Sequence, residues 1–521
     1  MVDAEETSAD VVVLGGGTAG CIIAGRIALA TDLGVVLVEE GPDDEPELVR
    51  DLRQQTTLLR TDYVRRYPED HPDGGGTTLL SGRVLGGGWA VNHSAMVRPT
   101  DADLVALEHA GGPDWNVEHL RQLMIALEHD VDYGDQPGHG SDGPVRLARR
   151  YHRGEAAVPA VTALLAACEA SDIPFLDDVN AGGDTSGISA YPYASDGHVR
   201  RNSANSHLAA ARERPGLTVM GDTTVHRILF EGDVAVGVEV SPAGDPTGPR
   251  TTIRARHIIV CAGVFHAPQI LLRSGIGPAG ELERAGIPVL VDLPGVGSGF
   301  LDHGKVEIEF SLRPTAEDRQ RPALDFGDGL KLHLRLRSRL AGVDPDLDLG
   351  LRHVPDAGKM VLTVRLLEQR AEGKVSLDPQ HPEDLPRVRT GILEHEDDVA
   401  ALVDGVLRGI ALLEHPLLEG RYALSQDLPR DRADWEQWVR HEYGTYNHGT
   451  GTCRMGTDER AVVDTELQVR GVQGVTVADA SVLPTLPHSN TNYAVALIAE
   501  HAADAFLKRH AAIREHGAAA N

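Results

Sequence analysis

Residues 10–42 restrict the fold of this chain more than any other stretch. Asp10-Val11-Val12-Val13-Leu14 is a short apolar run of buried-strand character, followed by Gly15-Gly16-Gly17-Thr18-Ala19-Gly20 and a helical stretch from Cys21 to Ala30. Gly34-Val35-Val36-Leu37-Val38 reads as a second strand that ends in Glu39-Glu40-Gly41-Pro42. Strand, glycine turn, helix and strand make a βαβ unit of a parallel sheet. The spacing Gly15-x-Gly17-x-x-Gly20 carries little by itself. Here it closes a strand, opens a helix, and is followed about twenty residues on by an acid, Glu39 or Glu40. Glycines let the backbone approach a pyrophosphate, the helix N-terminus attracts its charge, and the carboxylate takes the ribose hydroxyls. The turn residues Thr18 and Ala19 belong to the same cradle. An acid at the strand end disfavours a 2′-phosphate, which argues against NADP and leaves FAD and NAD.

Length and charge set the outer limits. A chain of 521 residues exceeds one small core, so two or three packed units are expected. The formal charge of −29 argues against nucleic acid and anionic membranes as partners. It reads mainly as a solubilising surface that steers cationic ligands weakly. The four cysteines, Cys21, Cys168, Cys261 and Cys453, are widely separated, which fits a reducing cytoplasm and points to neither disulfides nor a metal site. The acidic start Met1-Val2-Asp3-Ala4-Glu5-Glu6 has no secretory character, and no run reaches the ~18 apolar residues of a membrane span. A cytoplasmic location follows as the expectation.

Further along, Gly74-Gly75-Gly76 and Gly134 to Pro144 read as loops, and Thr224 to Val240 as a hairpin about Glu231-Gly232-Asp233. His257-Ile258-Ile259-Val260-Cys261-Ala262-Gly263 is another buried strand with a terminal glycine. From about residue 304 the pattern changes to alternating strands (Lys305 to Leu312, Lys331 to Leu336, Lys359 to Arg365) and an amphipathic helix near Glu396 to Glu414. The expected fold is α/β: a Rossmann-like cofactor domain from residues 8–150, 196–303 and 445–521. An α+β substrate domain on an antiparallel sheet takes residues 151–195 and 304–444. The segment Ala502 to Asn521 is expected to fray.

The other end of the chain holds Tyr446-Asn447-His448-Gly449-Thr450-Gly451-Thr452-Cys453, then Val477-Ala478-Asp479-Ala480-Ser481 and Ser489-Asn490-Thr491-Asn492. A His and an Asn returning from the last residues to a dinucleotide domain suggest an active site built over the cofactor. With Gly82 to Asn92, Gly263 to Gly277, and Leu293-Pro294-Gly295-Val296-Gly297 ending in Asp302-His303, the chain resembles the FAD-dependent glucose–methanol–choline (GMC) oxidoreductases over nearly its whole length. The resemblance implies FAD as cofactor and His448 with Asn490 as the catalytic pair. It places Gly87, Asn92, Asp479 and Ala480 near the flavin and the backbone of Val225 at the adenine. Covalent attachment in the family often uses a His just before the Asn of the first signature. Val91 stands there, so FAD is expected to be held non-covalently. Trp89, His266-Ala267 and Asn447 depart from the family pattern without removing a catalytic group.

The chemistry also has an independent argument. Oxidising a CH–OH group by hydride transfer to flavin N5 requires removal of the hydroxyl proton, and neutral His is the usual base near pH 7. An amide such as Asn490 holds the substrate oxygen without charge of its own. His488 is a rival base, His93 a candidate wall of the site, and Cys453 reads as packing. The expected substrate is a small polar alcohol, of sugar or aminosugar type, with oxygen or an unidentified electron acceptor as second partner. The alternatives are a non-redox lyase of hydroxynitrile type on the same scaffold, and a flavoprotein that reoxidises a carrier or peptide-derived cofactor.

Overall fold

The computed structural model describes residues 7–71, 76–155, 159–244, 248–313, 331–342, 344–354, 358–425 and 427–519. Gly74 and Gly75 of the expected glycine loop lie outside them.

Two seven-stranded sheets organise the chain. The first runs in the order Leu217–Met220, Val35–Val38, Thr7–Leu14, Thr251–Val260, Val234–Pro242, Thr223–Glu231, with Val475–Val477 also paired to Thr251–Val260. The strands Leu217–Met220, Val35–Val38, Thr7–Leu14, Thr251–Val260 and Val475–Val477 are mutually parallel. Val11 to Leu14 are fully buried, as strands covered on both faces must be. The two strands Thr223–Glu231 and Val234–Pro242 form the expected hairpin and join the sheet antiparallel.

The second sheet is antiparallel throughout: Tyr422–Leu424, Gly304–Leu312, Lys359–Leu366, Leu347–Val354, Lys331–Leu336, Gly187–Ala190, with Gly444–Thr445 paired to Gly304–Leu312. Period-two alternation sorts its faces. Val306, Ile308, Leu332, Leu334, Leu349, Leu351, Leu362 and Val364 face the helix Glu396–Leu413 in one buried cluster. Gly405 and Gly409 let that helix lie close, since a Cβ there would come within 2.7 Å of Val364 and 2.8 Å of Leu362. The opposite face carries His333, Arg335, Asp348 and Arg365, all buried. A smaller sheet joins Val145–Arg149 to Pro192–Asp196.

The C-terminal segment is helical through most of the stretch expected to fray, although Ala511 to Arg514 are exposed and Ala520 and Asn521 lie outside the described residues. It is one helix from Thr491 to Ala519. Tyr493, Ala494, Ala496 to Ala499 and Ala503, in its first turns, are buried in the core of the first sheet. No helix among the described residues is long and apolar enough to cross a membrane.

The tightest backbone approach in the first sheet's turn lies at Gly20, where an added Cβ would sit 1.9 Å from the Gly15 carbonyl oxygen. Gly20→Ala should therefore cost about 1–3 kcal/mol or more. Gly280→Ala, whose nearest neighbour would be the flexible Arg284 guanidinium at 3.6 Å, should leave stability within about 0.5 kcal/mol. Thermal melts of the two variants against the parent check this, and equal midpoints would refute it.

Candidate active site

Four of the chemically suggestive loops leave the carboxyl ends of parallel strands. Gly15 follows Leu14, Glu39 follows Val38, Gly263 lies just beyond Val260, and Asp479 just beyond Val477. Backbone bonds lace these ends together: Gly15 N–H donates to Val38 O at 2.8 Å, Cys261 N–H to Leu14 O at 2.7 Å, and Ala478 N–H to Val260 O at 2.9 Å. Ligand crevices in open parallel sheets form at this edge.

The cofactor cradle is shaped for a dinucleotide. Gly15 has φ +99°, and a Cβ there would lie 2.5 Å from Cys261 O. The helix Thr18–Ala30 begins at Gly17 without a side-chain cap and without an acid in its first turn, so its N-terminus is open to an anion. The first-signature turn abuts it, a Cβ on Gly87 falling 2.7 Å from Gly17 Cα. Of the two candidate acids, Glu39 is the one turned to the cradle. Its carboxylate accepts from Gly16 N–H at 2.8 Å and Gly41 N–H at 2.9 Å, and burial raises its pKa against those two bonds. Glu40 instead pairs with Arg65 at 2.7 Å. Thr223 N–H donates to Glu39 O at 2.9 Å, which brings the strand bearing Val225 to the same edge. Asn92 closes its short helix, its Oδ1 accepting from Ser94 N–H at 2.7 Å. Buried Asp479 accepts from Gly263 N–H at 2.8 Å and from Ser481, and Ala480 O accepts from Gly451 N–H at 3.3 Å. Thr18 Oγ1 lies 3.3 Å from Asn492 Oδ1, so the last helix of the chain starts against the first glycine turn. Ala19 and Gly20 are buried behind it.

That last helix also delivers Asn490, immediately before Thr491. Asn490 Nδ2 lies 3.5 Å from His448 Nε2, the outer limit of a hydrogen bond, so the two groups stand side by side. His448 follows Asn447, a non-glycine residue at φ +60°. Two bonds hold that left-handed turn: Asn447 N–H donates to Thr445 Oγ1 at 2.8 Å, and Leu80 N–H donates to Asn447 Oδ1 at 2.7 Å. Asp302 grips the same segment, accepting from His448 N–H at 2.8 Å and from the Thr445 hydroxyl. His448 Nδ1 lies 2.8 Å from His303 Nδ1, and His303 Nε2 lies 3.0 Å from Pro487 O. Tyr446 stands edge-on to the His448 ring at 4.7 Å. The Arg365 guanidinium sits 4.5 Å over Tyr446 and binds Asp348 and the Tyr191 hydroxyl, each at 2.7 Å.

Burial, then the neighbouring His303 and Arg365, hold the pKa of His448 well below the ordinary histidine value. Burial pushes His303 down to about 3 and Asp302 up to about 6. His488, the rival base, is a different object. Its Nδ1 lies 2.8 Å from Asp103 Oδ1, its N–H also binds that carboxylate, and Asp103 raises its pKa despite burial. It clamps the loop before Asn490 onto the helix Asp101–Gly111. His93 is exposed. Burial drives the Cys453 thiol far above its usual range, as suits packing. Of the three departures, Trp89 is buried in the core, His266 bonds Tyr67 and Gln269, and Asn447 makes the turn just described.

Sequence reasoning named Asp302-His303 as a segment without giving it a task, and missed Arg365, Asp348 and Tyr191. The alternation in Lys331-Leu332-His333-Leu334-Arg335-Leu336 was the available signal, since it puts polar and apolar residues on opposite faces.

Cradle, sheet edge and His–Asn pair together define an FAD-dependent oxidoreductase, and comparison with known proteins gives the family. The GMC oxidoreductase N-terminal model matches residues 9–305 and the C-terminal model residues 369–499, and the chain belongs to this family. It is 32% identical to a 5-(hydroxymethyl)furfural oxidase of Methylovorus sp. over 96% of this chain and 99% of that one. It is 30% identical to choline oxidase of Arthrobacter globiformis over 95% and 93% of the two chains. Among solved structures it superposes on pyridoxine 4-oxidase from Mesorbium loti with TM-score 0.85, at 26% identity, over 95% of this chain and 98% of that one.

If the buried acid at the strand end orders the cradle and meets the ribose, Glu39→Ala should weaken FAD binding to apoprotein by roughly 10- to 100-fold, the worth of a charged hydrogen bond. Glu40→Ala should change it little. Fluorescence titration with FAD decides, and equal losses would overturn the assignment.

Proposed function

We propose that this chain oxidises a CH–OH group of a small polar alcohol, with His448 as general base and Asn490 as second ligand of the substrate oxygen. The observation that carries the reading is a neutral imidazole and an uncharged amide side by side at the cofactor edge. A base must be unprotonated to work, and the low pKa of His448 keeps it so across neutral pH. Its Nε2 takes the hydroxyl proton, while Asn490 Nδ2 donates to the oxygen that becomes negative. FAD, when bound, supplies the two-electron acceptor for the hydride leaving carbon. The alcohol thus loses two electrons and two protons and becomes a carbonyl compound. Oxygen, giving hydrogen peroxide, or a separate acceptor closes the cycle.

The polar face of the antiparallel sheet, with Arg335, Asp348, Arg365 and Tyr191 behind Tyr446, favours a polyol or aminosugar over an aliphatic chain. The relatives' names add 5-(hydroxymethyl)furfural, choline and pyridoxine to the panel worth testing. The cradle residues Gly15, Gly17, Thr18, Ala19, Gly20 and Glu39, with Gly87, Asn92, Val225, Asp479 and Ala480, are assigned to FAD. We take residues 8–150, 196–303 and 445–521 as the unit that carries it. The four cysteines, all unpaired and buried, fit a cytoplasmic protein.

Non-covalent FAD follows from Val91 before Asn92. Acid precipitation should therefore release all yellow colour to the supernatant, and colour left in the pellet refutes it. An anaerobic panel of aminosugars, sugars, 5-(hydroxymethyl)furfural, choline, pyridoxine and aliphatic alcohols should bleach the bound flavin with at least one member, polar ones fastest. His448→Ala should slow that bleaching by roughly 10²–10⁴-fold while FAD stays bound. Asn490→Ala should cost ~1.5–3 kcal/mol of activation energy. Full bleaching by His448→Ala would sink the assignment, and product formed while flavin stays oxidised would indicate a lyase instead.

A further inference from the structure

The tautomer of His448 is readable from its neighbours. A backbone carbonyl only accepts hydrogen bonds, so His303 Nε2, 3.0 Å from Pro487 O, must carry a proton. The His303 ring is 1% exposed and its pKa lies near 3, so at neutral pH it holds only that one proton. Its Nδ1 is then an acceptor. Among the described residues, the group 2.8 Å away that can donate to it is His448 Nδ1. His448 in turn is neutral, so its single proton sits on Nδ1 and Nε2 keeps a bare lone pair on the side of Asn490.

We propose that His303 is a positioning residue that fixes His448 as the Nδ1–H tautomer, by a relay running from Pro487 O through His303 to His448. The inference rests on His448 being the base. The relay gives three things to that base. It selects the lone pair at Nε2, it locks the ring's rotation, and it answers the charge that forms. When the substrate O–H breaks and Nε2–H forms, the imidazolium keeps its Nδ1–H donated to His303, whose own Nε2–H stays on Pro487 O. Only one proton moves, and His303 is never ionised. This differs from an acid partner behind a catalytic His, which would raise the pKa of the base. Here the partner is neutral, and the base stays easily deprotonated.

The charged groups facing His448 are consistent with this arrangement. Asp302 is engaged by the His448 and Thr445 bonds, Arg365 by Asp348 and Tyr191, and His488 by Asp103. None of these bonds reaches the His448 ring nitrogens.

The test uses the FAD-loaded protein with ¹⁵N-labelled histidines. Loss of one set of ring signals in His448→Ala assigns His448, and its two nitrogen shifts report the tautomer without any substrate. The parent should show Nδ1–H with a bare Nε2. His303→Asn, whose amide oxygen stands where the ring Nδ1 stood, should keep that pattern. His303→Leu should lose it, giving a mixture or the Nε2–H form. Flavin bleaching by the best alcohol of the panel should fall roughly 10²-fold in His303→Leu and recover most of that in His303→Asn. His303→Asp should shift the low-pH limb of the bleaching profile to higher pH, because a carboxylate at Nδ1 favours the charged ring, which cannot act as base. An Nε2–H tautomer in the parent, an unchanged tautomer in His303→Leu, or equal losses in the Leu and Asn variants overturns the proposal. A His448→Ala protein that bleaches normally defeats the base assignment alone and leaves the tautomer result standing.

Discussion

The site depends on close backbone contact at the carboxyl edge of the parallel sheet. Gly15, at φ +99°, presses against Cys261 O, and Gly20 against Gly15 O, with no room for a methyl group at either. These contacts join the first strand to a strand more than two hundred residues later, and Ala478 then joins that strand to Val475–Val477. Because the same edge receives Thr18 and Asn492, the amide that stands beside His448 is registered to the cofactor cradle within a few residues of both. A side chain at Gly20 would therefore disturb chemistry that lies at the far end of the sequence.

Burial acts on every ionisable group here, and the partner decides the outcome. His448 and His488 lie on loops that meet at the same place. One faces a neutral imidazole and falls well below its usual pKa; the other faces Asp103 and rises above it. Two histidines at neighbouring positions thus shift in opposite directions, one toward the neutral form and one toward the charged form. Asp302 shows the same logic from the acid side. Burial lifts it to about 6, yet its two bonds to the His448 segment favour the ionised form. The left-handed Asn447 is held in place by such bonds, and strain of this kind persists only where surroundings over-determine it.

Much of the architecture was readable from residues 10–42, where propensity, glycine spacing and a terminal acid all pointed to one unit. The choice between Glu39 and Glu40 was not, because it turns on which carboxylate meets Gly16 N–H once the turn is folded. The alternating strands of the second sheet were placed correctly, and their period already separated His333 and Arg335 from the leucines between them. What the pattern could not say was which face looks toward His448. That depends on the short strand Gly444–Thr445, too brief to show any periodicity, which pairs with Gly304–Leu312 and swings Tyr446 and His448 into place. The contacts of His303 escaped notice for a related reason: its partner His448 is 145 positions away, and its other ring nitrogen meets a carbonyl that no side-chain pattern reveals. The terminal helix packs against the first helix and the helix Val117–Leu127, contacts between distant parts of the chain that no local pattern near its end announces.

A second buried polar cluster shows what the active site is not. Glu128, Asp130 and His139 bring ligand-type atoms together closely enough to hold a metal ion. Arg98 bonds Glu128, Arg149 bonds Asp130 and Asp178, and His139 lies within 3.5 Å of Glu128, 3.4 Å of Asp130 and 3.0 Å of Asp178. Three carboxylates thus face three cations, and those carboxylates raise His139 to about 10. A metal ion would have to displace that proton against two guanidinium groups already in place, so charge balance makes this a structural joint rather than a metal site. Its pH window follows from the same shifts. The contribution of His139 is complete below about 6.5 and is lost as pH climbs through about 10, while that of the lowered acids is present above the ordinary carboxylate range and is lost as pH falls below it. Around neutral pH the joint therefore persists alongside a neutral His448. The His448 ring has no such carboxylate among its described hydrogen-bond partners, His303 and Asn490, and the neutral imidazole is favoured there.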